Sequence, residues 1–143
     1  MPTITLPDGS TKSFDAPVKA IDVAKSIGAR LAQAALGCKV DLGDGQGPQL
    51  RDLNTVLDRD CSLAIVTERT RDKQPDKDAL FLIRHSAAHV MAEAIQDVLG
   101  KDILLAYGPP TESGFFYDMY VPEGKKISSD HFEAINRRMG EII

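Results

Sequence analysis

Two histidines carry the most explicit chemistry in this sequence. His85 and His89 are two of the three histidines in the chain and lie four residues apart. Residues i and i+4 of an α-helix lie one turn apart on the same face. In a helical segment the two imidazoles would therefore project side by side. Small neighbours such as Ser86 and Ala88 would leave room for another molecule to approach them.

Paired imidazoles support three kinds of chemistry. They can hold a metal ion, orient and deprotonate a water molecule, or hydrogen-bond a polar substrate. They can also be ordinary amphipathic residues at a helix surface. A zinc site needs three or four ligands and the pair supplies two, so we assign no metal-ligating residues, although the helix alone does not decide whether a metal binds. The histidine helix alone leaves the other possibilities open.

A long helix is predicted to position the pair. No Gly or Pro occurs from Asp76 to Leu99, and the segment is rich in residues of high helix propensity. Its apolar residues recur at helical steps, which predicts one buried stripe. The stripe comprises Phe81, Ala88, Ala92, Ile95 and Leu99.

Two strands and a loop are predicted after this helix. Residues 103–107 and 114–120 have the pattern of strands, and Gly108 and Gly114 bracket their connection. Glycine lets the backbone come close to a ligand or to the helix. We predict that Tyr117 and Asp118 make polar contacts at the rim of the pocket, and that Asp118 is a candidate to orient a histidine.

The chain ends on a further predicted helix. Ser128 or Ser129 can cap it, and an apolar stripe follows at Phe132, Ile135 and Met139. The last two residues are isoleucines with no polar tail beyond them. Natural termini are usually exposed and frayed, so we expect this chain to be part of a longer protein.

The first half of the chain predicts a β-grasp module, which is one helix lying across a small mixed sheet. A hairpin spans residues 3–14 around the turn Pro7-Asp-Gly-Ser10, and a helix at residues 20–27 ends before Gly28. A second helical piece at 30–36 and strands at 38–42 and 62–66 follow. The module has no catalytic constellation, so by itself it indicates an adaptor or a ligand-binding domain. The predicted domains are residues 1–68, a polar linker at 69–78, and residues 79–143.

Composition narrows the function class. The 143 residues have a formal net charge of −4, which argues against a free-standing nucleic-acid binder. Cys38 and Cys61 are too far apart in sequence for a metal knuckle and too few for a disulfide framework. The sequence has no signal-like start and no long apolar run, so we expect a cytoplasmic protein that does not enter a membrane.

The motifs resemble those of one family. The Thr3-Ile-Thr-Leu-Pro-Asp-Gly9 hairpin is similar to the start of a TGS domain. His85-Ser-Ala-Ala-His89, followed by Gly108-Pro-Pro-Thr-Glu-Ser-Gly-Phe-Phe-Tyr-Asp118, resembles the editing domain of threonyl-tRNA synthetases. The resemblance implies an α+β chain, with a ubiquitin-like TGS β-grasp module followed by an incomplete α/β editing domain built on a long helix and an antiparallel hairpin.

The resemblance also implies a function. Such enzymes join threonine to tRNA(Thr) with ATP, and their editing domain hydrolyses seryl-tRNA at the acceptor end. His85 and His89 would be the catalytic pair, with Tyr117, Asp118, Gly108 and Gly114 as substrate-binding residues. The pocket would be completed by a Cys-x-x-x-His segment that this sequence lacks, so the chain alone is expected to be inactive. No cofactor is expected here; ATP and zinc would bind a catalytic domain outside this chain, through which the enzyme would form a homodimer.

Three alternatives remain open from the sequence. Alanyl-tRNA editing hydrolases use a similar pair of histidines but lack a TGS module. TGS domains also occur in regulatory, ligand-binding proteins without this chemistry. A scaffold protein would instead have His85 and His89 packed in apolar surroundings.

Overall fold

The computed structural model describes residues 1–143, which divide into two compact units, Met1–Leu80 and Phe81–Ile143. The division falls inside a helix that runs from Lys77 to Leu99. Each unit is considered by itself below. None of the helices combines the length and the hydropathy that a membrane-spanning helix requires.

A five-stranded sheet forms the N-terminal unit. Its strands are β1 (Thr3–Thr5), β2 (Thr11–Ser13), β4 (Ala35–Asp41), β5 (Gln49–Arg51) and β7 (Cys61–Thr67). They lie in the order β2-β1-β7-β4-β5, with β1 and β7 parallel and the other neighbours antiparallel. At the first turn Gly9 has a φ of +83°, which glycine adopts without the steric cost that a side chain would bring.

Two helices and a small second sheet complete this unit. Helix α1 (Ala20–Ile27) and helix α2 (Ala29–Ala34) follow strand β3 (Val18–Lys19), which pairs with β6 (Val56–Leu57). The second helical piece was predicted to extend to residue 36, but it stops at Ala34. The reason is that β4 already begins at Ala35, where the backbone pairs with Thr67.

The core of the N-terminal unit lies between α1 and the sheet. Ile4, Val23, Cys38 and Leu63 are almost fully buried there. Burial raises the pKa of the Cys38 thiol to about 11 and also raises that of Cys61. Because the thiolate is the reactive form, both cysteines are inert core residues in the folded protein.

The segment predicted as a polar linker folds back on itself. Arg69 and Pro75 form an isolated antiparallel bridge, and the Thr70 amide donates to the Gln74 carbonyl at 2.8 Å. Asp76 then caps the next helix, its Oδ1 accepting hydrogen bonds from the amides of Asp78 at 2.9 Å and Ala79 at 3.0 Å. The capping carboxylate explains why helix α3 begins at Lys77.

Two helices, a two-stranded sheet and a 3-10 turn form the second unit. Helix α3 (Lys77–Leu99) is followed by strands β8 (Leu104–Tyr107) and β9 (Asp118–Tyr120), a 3-10 turn (Ser129–His131) and helix α4 (Phe132–Ile142). Its core joins Ala94 and Ile95 of α3 to Ile103 and to Ile135 of α4. Arg138 of α4 also donates from Nε to Asp97 Oδ2 of α3 at 2.9 Å.

Three details of this unit differ from the sequence-based expectation. Phe81 was assigned to the buried stripe of α3, but it is 48% exposed and lies on the same face as the histidines. Phe132 of α4 is likewise 59% exposed, while Ile135 of the same predicted stripe is buried. The second strand was predicted from residue 114 but begins at Asp118, because Pro110 and Phe115 form only an isolated bridge. The predicted α+β class with an N-terminal β-grasp module is confirmed.

Candidate functional site

The paired histidines of α3 are in direct contact. The Nε2 atoms of His85 and His89 lie 3.2 Å apart, and the rings are nearly perpendicular, with centroids separated by 4.6 Å. At this distance one Nε2 must carry a hydrogen and donate it, while the other Nε2 accepts. One ring is therefore the donor and the other the acceptor, and the tautomers decide which is which.

Two aromatic rings flank the histidine pair. Phe81 lies one turn earlier on α3, with its ring within 9° of parallel to that of His85 at a centroid distance of 6.3 Å. On the other side, the Tyr117 ring approaches His89 edge-on, with centroids 6.0 Å apart. The pair is thus held in a row of rings along one helix face and the adjoining hairpin.

An open cavity of about 370 Å³ lies in front of these rings. It is lined by Phe81, His85, His89, Ala106, Tyr107, Gly108, Pro109, Pro110 and Tyr117. Both histidines are exposed, which excludes the scaffold alternative in which they are packed in apolar surroundings. The volume is in the range of small-molecule sites. The two ionisable rings at one wall are groups that can exchange protons with a bound molecule.

Gly108 allows the cavity wall to close against Tyr117. A Cβ built on Gly108 would overlap the tyrosine ring, lying 2.8 Å from Cγ and closer still to Cδ2 and Cε2. No larger residue fits there unless the ring moves. The sequence suggested a close approach of the Gly108 backbone to a ligand or to the helix; in the structure its nearest neighbour is the side chain of Tyr117.

The other two predicted site residues lie away from the cavity lining. Gly114 accepts a hydrogen bond at its carbonyl from the Thr111 amide at 2.7 Å, and a Cβ placed on it would meet no atom within 4 Å. Asp118 is exposed at the start of β9, where it pairs with Tyr107, and it makes no hydrogen bond to either histidine. The structure therefore brings together His85, His89, Gly108 and Tyr117, but not Gly114 or Asp118.

One residue beside the cavity was missed from the sequence. Arg84 Nη1 donates to the carbonyl of Thr111 at 3.0 Å and to that of Glu112 at 2.7 Å. These contacts fasten the loop between the strands to the histidine helix. The available signal was a single cation immediately after the apolar run Ala79–Ile83 and directly before His85.

The donor set does not by itself fit a metal ion. His85 and His89 offer two nitrogens, and no group of three or more His, Cys, Asp or Glu side chains lies together anywhere in the structure. Zinc in proteins takes three or four protein ligands. The geometry of the pair instead suits hydrogen bonding and proton sharing.

Both halves of the chain are similar to known proteins. Residues 2–67 match the TGS domain family. The chain is 43% identical over 143 residues to a threonine–tRNA ligase from Paramagnetospirillum magneticum and 44% identical over 144 residues to one from Thiobacillus denitrificans. Each alignment covers 100% of this chain but only 20% of the relative. The chain therefore spans about a fifth of the length of the curated relatives it matches.

These similarities bear on the family predicted from the motifs. They extend beyond the TGS domain to the histidine helix and the hairpin, since the alignments run through the whole chain. Along its entire length the chain is similar to threonine–tRNA ligases, and it fits an N-terminal region of such an enzyme that begins with a TGS domain.

Proposed function

We propose that this chain is the N-terminal editing region of a threonine–tRNA ligase, and that its second unit contributes half of a site that hydrolyses mischarged seryl-tRNA(Thr). The observation that carries the proposal is the hydrogen-bonded His85–His89 pair at the wall of an open cavity. The whole-chain similarity to threonine–tRNA ligases supports this choice of enzyme over an alanyl-tRNA editing hydrolase or a TGS-containing regulatory protein.

A physical reason exists for such a site in this family. Serine differs from threonine by one methyl group, and a binding pocket gains only about 1–3 kcal/mol of discrimination from one carbon. That margin admits serine too often for accurate protein synthesis. A second site that accepts serine and excludes the extra methyl group corrects the error after transfer to tRNA.

The reaction requires an oriented water more than a strong nucleophile. Water adds to the carbonyl carbon of the aminoacyl ester, the bond to the ribose oxygen breaks, and the products are serine and free tRNA. When the mutual hydrogen bond of the pair opens, the freed Nε2 lone pair is suited to take a proton from the water or to fix the terminal ribose hydroxyl. The partner ring can return a proton to the leaving oxygen.

The remaining functions are proposed for the protein that contains this region. A catalytic domain outside the chain would bind ATP, threonine and zinc, would attach threonine to the tRNA, and would form the homodimer. A Cys-x-x-x-His segment, also outside the chain, would complete the editing pocket. The 143-residue chain alone should therefore be inactive, and the protein should function in the cytoplasm.

The test uses the complete ligase carrying His89→Ala. We expect it to charge tRNA(Thr) with threonine normally but to accumulate seryl-tRNA(Thr), because the shared proton between the two rings is lost. His131→Gln is a matched control: His131 lies in the 3-10 turn and accepts from the Ser128 amide at Nδ1, a capping role that glutamine can retain. Accumulated seryl-tRNA is measured with radiolabelled serine.

Two outcomes would overturn the proposal. Normal removal of serine by the His89→Ala enzyme would show that the pair has no role in hydrolysis. Hydrolysis of misacylated tRNA(Ala) in preference to tRNA(Thr) would instead identify the alanyl type of editing hydrolase.

A further inference from the structure

The loop between β8 and β9 forms one wall of the histidine cavity. Gly108, Pro109 and Pro110 line it directly, and the next residues turn the chain back toward β9. The turn is closed internally, since the Thr111 amide donates to the Gly114 carbonyl at 2.7 Å. The position of this turn therefore determines where the wall lies relative to the two imidazoles.

A single side chain ties the turn to α3. Arg84 Nη1 donates to two successive carbonyls, those of Thr111 at 3.0 Å and Glu112 at 2.7 Å. The residues joined are 27 and 28 positions apart in sequence. Hydrogen bonds from an ionised donor are stronger than neutral ones, so this contact restrains the turn firmly.

Arg84 has no carboxylate partner in the structure. Its side chain forms no ion pair. Glu112 supplies one of the two acceptors, but through its main-chain carbonyl and not through its carboxylate. A half-buried arginine whose Nη1 contacts two main-chain carbonyls and no carboxylate serves to fix backbone rather than to balance charge.

We propose that Arg84 is a positioning residue for the histidine site: it sets the Gly108–Pro110 wall at the distance from His85 and His89 that the substrate ester requires. This inference rests on the proposed editing function only for its effect on hydrolysis. The claim that Arg84 holds the loop does not depend on the editing function. Misplacement of a substrate by about 1 Å can cost a hundredfold in rate, so a residue that touches no reacting atom can control the reaction.

The first experiment uses the 143-residue chain and does not depend on activity. In Arg84→Gln, we expect the amide NMR signals of residues 108–114 to shift and the Thr111 amide to exchange with solvent at least about tenfold faster, as the turn detaches. Glu112→Gln is the matched control, because it alters the side chain while keeping the carbonyl that Arg84 contacts. Signals that stay in place in Arg84→Gln, or that move equally in Glu112→Gln, would overturn the inference.

The second experiment measures deacylation of seryl-tRNA(Thr) by the complete ligase. Arg84→Gln should reduce kcat at least about tenfold with a smaller change in KM, because loss of positioning acts mainly on the reacting geometry. Arg84→Lys should recover part of that loss, since an ammonium can still donate to one carbonyl. Arg138→Gln, which removes the arginine contact to Asp97 and Glu141, controls for a general loss of stability.

The outcomes separate this inference from the proposed function. Loss of hydrolysis in His89→Ala together with an unaffected Arg84→Gln enzyme would reject the positioning role alone. Full hydrolysis in His89→Ala would reject the editing function, while the NMR result would still decide whether Arg84 holds the loop.

Discussion

The two units each contain an open cavity, but only the cavity of the second unit is lined by histidines. The cavity in the N-terminal unit has a volume of about 490 Å³, against about 370 Å³ for the histidine cavity. Its lining includes the aliphatic side chains of Leu6, Leu31 and Ile65, and Asp8 in this lining accepts hydrogen bonds from the Ser10 hydroxyl and amide. The smaller cavity presents two imidazoles, so the candidate site is chosen by the chemistry of its lining and not by its volume.

The units also differ in how they are held together. The N-terminal unit packs a large buried cluster between one helix and a five-stranded sheet. The second unit has a smaller cluster and adds polar contacts between elements, including Arg84 to the loop and Arg138 to Asp97. The N-terminal unit also has polar contacts between elements, among them Lys12 to the Ser26 carbonyl and Lys39 to Asp78. The clearest difference between the units is therefore the size of the buried apolar cluster.

The largest expected effect comes from a substitution in the buried core of the N-terminal unit. Leu63 is 1% exposed in the centre of β7, and Leu63→Ala should lower the free energy of unfolding of the N-terminal unit by about 2–5 kcal/mol. Both cysteines lie in that unit, so the rate at which a thiol reagent labels Cys38 and Cys61 reports its opening. The neighbouring Ser62 is exposed, and Ser62→Ala is the control. Unchanged labelling in Leu63→Ala would contradict a core-dominated unit.

A smaller effect is expected from the cavity wall. Gly108→Ala must push the Tyr117 ring away, so overpacking should cost about 1–3 kcal/mol in the second unit. Gly114→Ala is matched to it, because a methyl group there meets no neighbour. Chemical denaturation followed by circular dichroism measures both variants, and the NMR signals of the Tyr117 ring report its displacement. Equal stability of the two variants would show that the contact between Gly108 and the ring is not tight.

Local sequence patterns predicted the elements better than they predicted the site. The long segment without Gly or Pro predicted a helix after the linker at 69–78, and α3 begins two residues earlier, at Lys77; turn residues predicted the N-terminal hairpin. Phe81 was misplaced because it lies seven residues before Ala88 and also four before His85, so helical spacing alone allows either face. Packing by other elements decided between them.

The loop contact could not be predicted from side-chain patterns. Arg84 binds main-chain carbonyls, which every residue has, so no residue type at 111 or 112 identifies its acceptors. The contact between Gly108 and Tyr117 likewise depends on the register of β8 and β9, in which Tyr107 pairs with Asp118. Sequence spacing predicted a pocket near the histidines, but the residues that shape it required the tertiary fold.

Two aspartates, one in each unit, have lowered pKa values that arise from different contacts. Asp58 in the N-terminal unit has a lowered pKa because of its hydrogen bond with the adjacent Arg59. Asp97 in the second unit has a lowered pKa because of hydrogen bonds from Lys101 and from Arg138, which lies 41 residues away. The first contact is available to an unfolded chain, whereas the Arg138 contact exists only when α3 and α4 are packed together.

The smallest effect is therefore a pH dependence that differs between these two carboxylates. The pKa of Asp97 in the folded state lies below the unfolded value of about 3.9. At pH values between these two pKa values the unfolded state binds more protons than the folded state, so the free energy of unfolding rises with pH. The stabilisation from Asp97 should be present above the unfolded value and lost as the pH falls through the folded pKa. Asp97→Asn should flatten this acid slope for the second unit, while Asp58→Asn should leave the slope of the N-terminal unit nearly unchanged. Urea unfolding at a series of pH values between neutrality and about 3 measures both slopes. Equal flattening by the two substitutions would mean that the contact between α3 and α4 contributes no more to folding than a pair of adjacent residues.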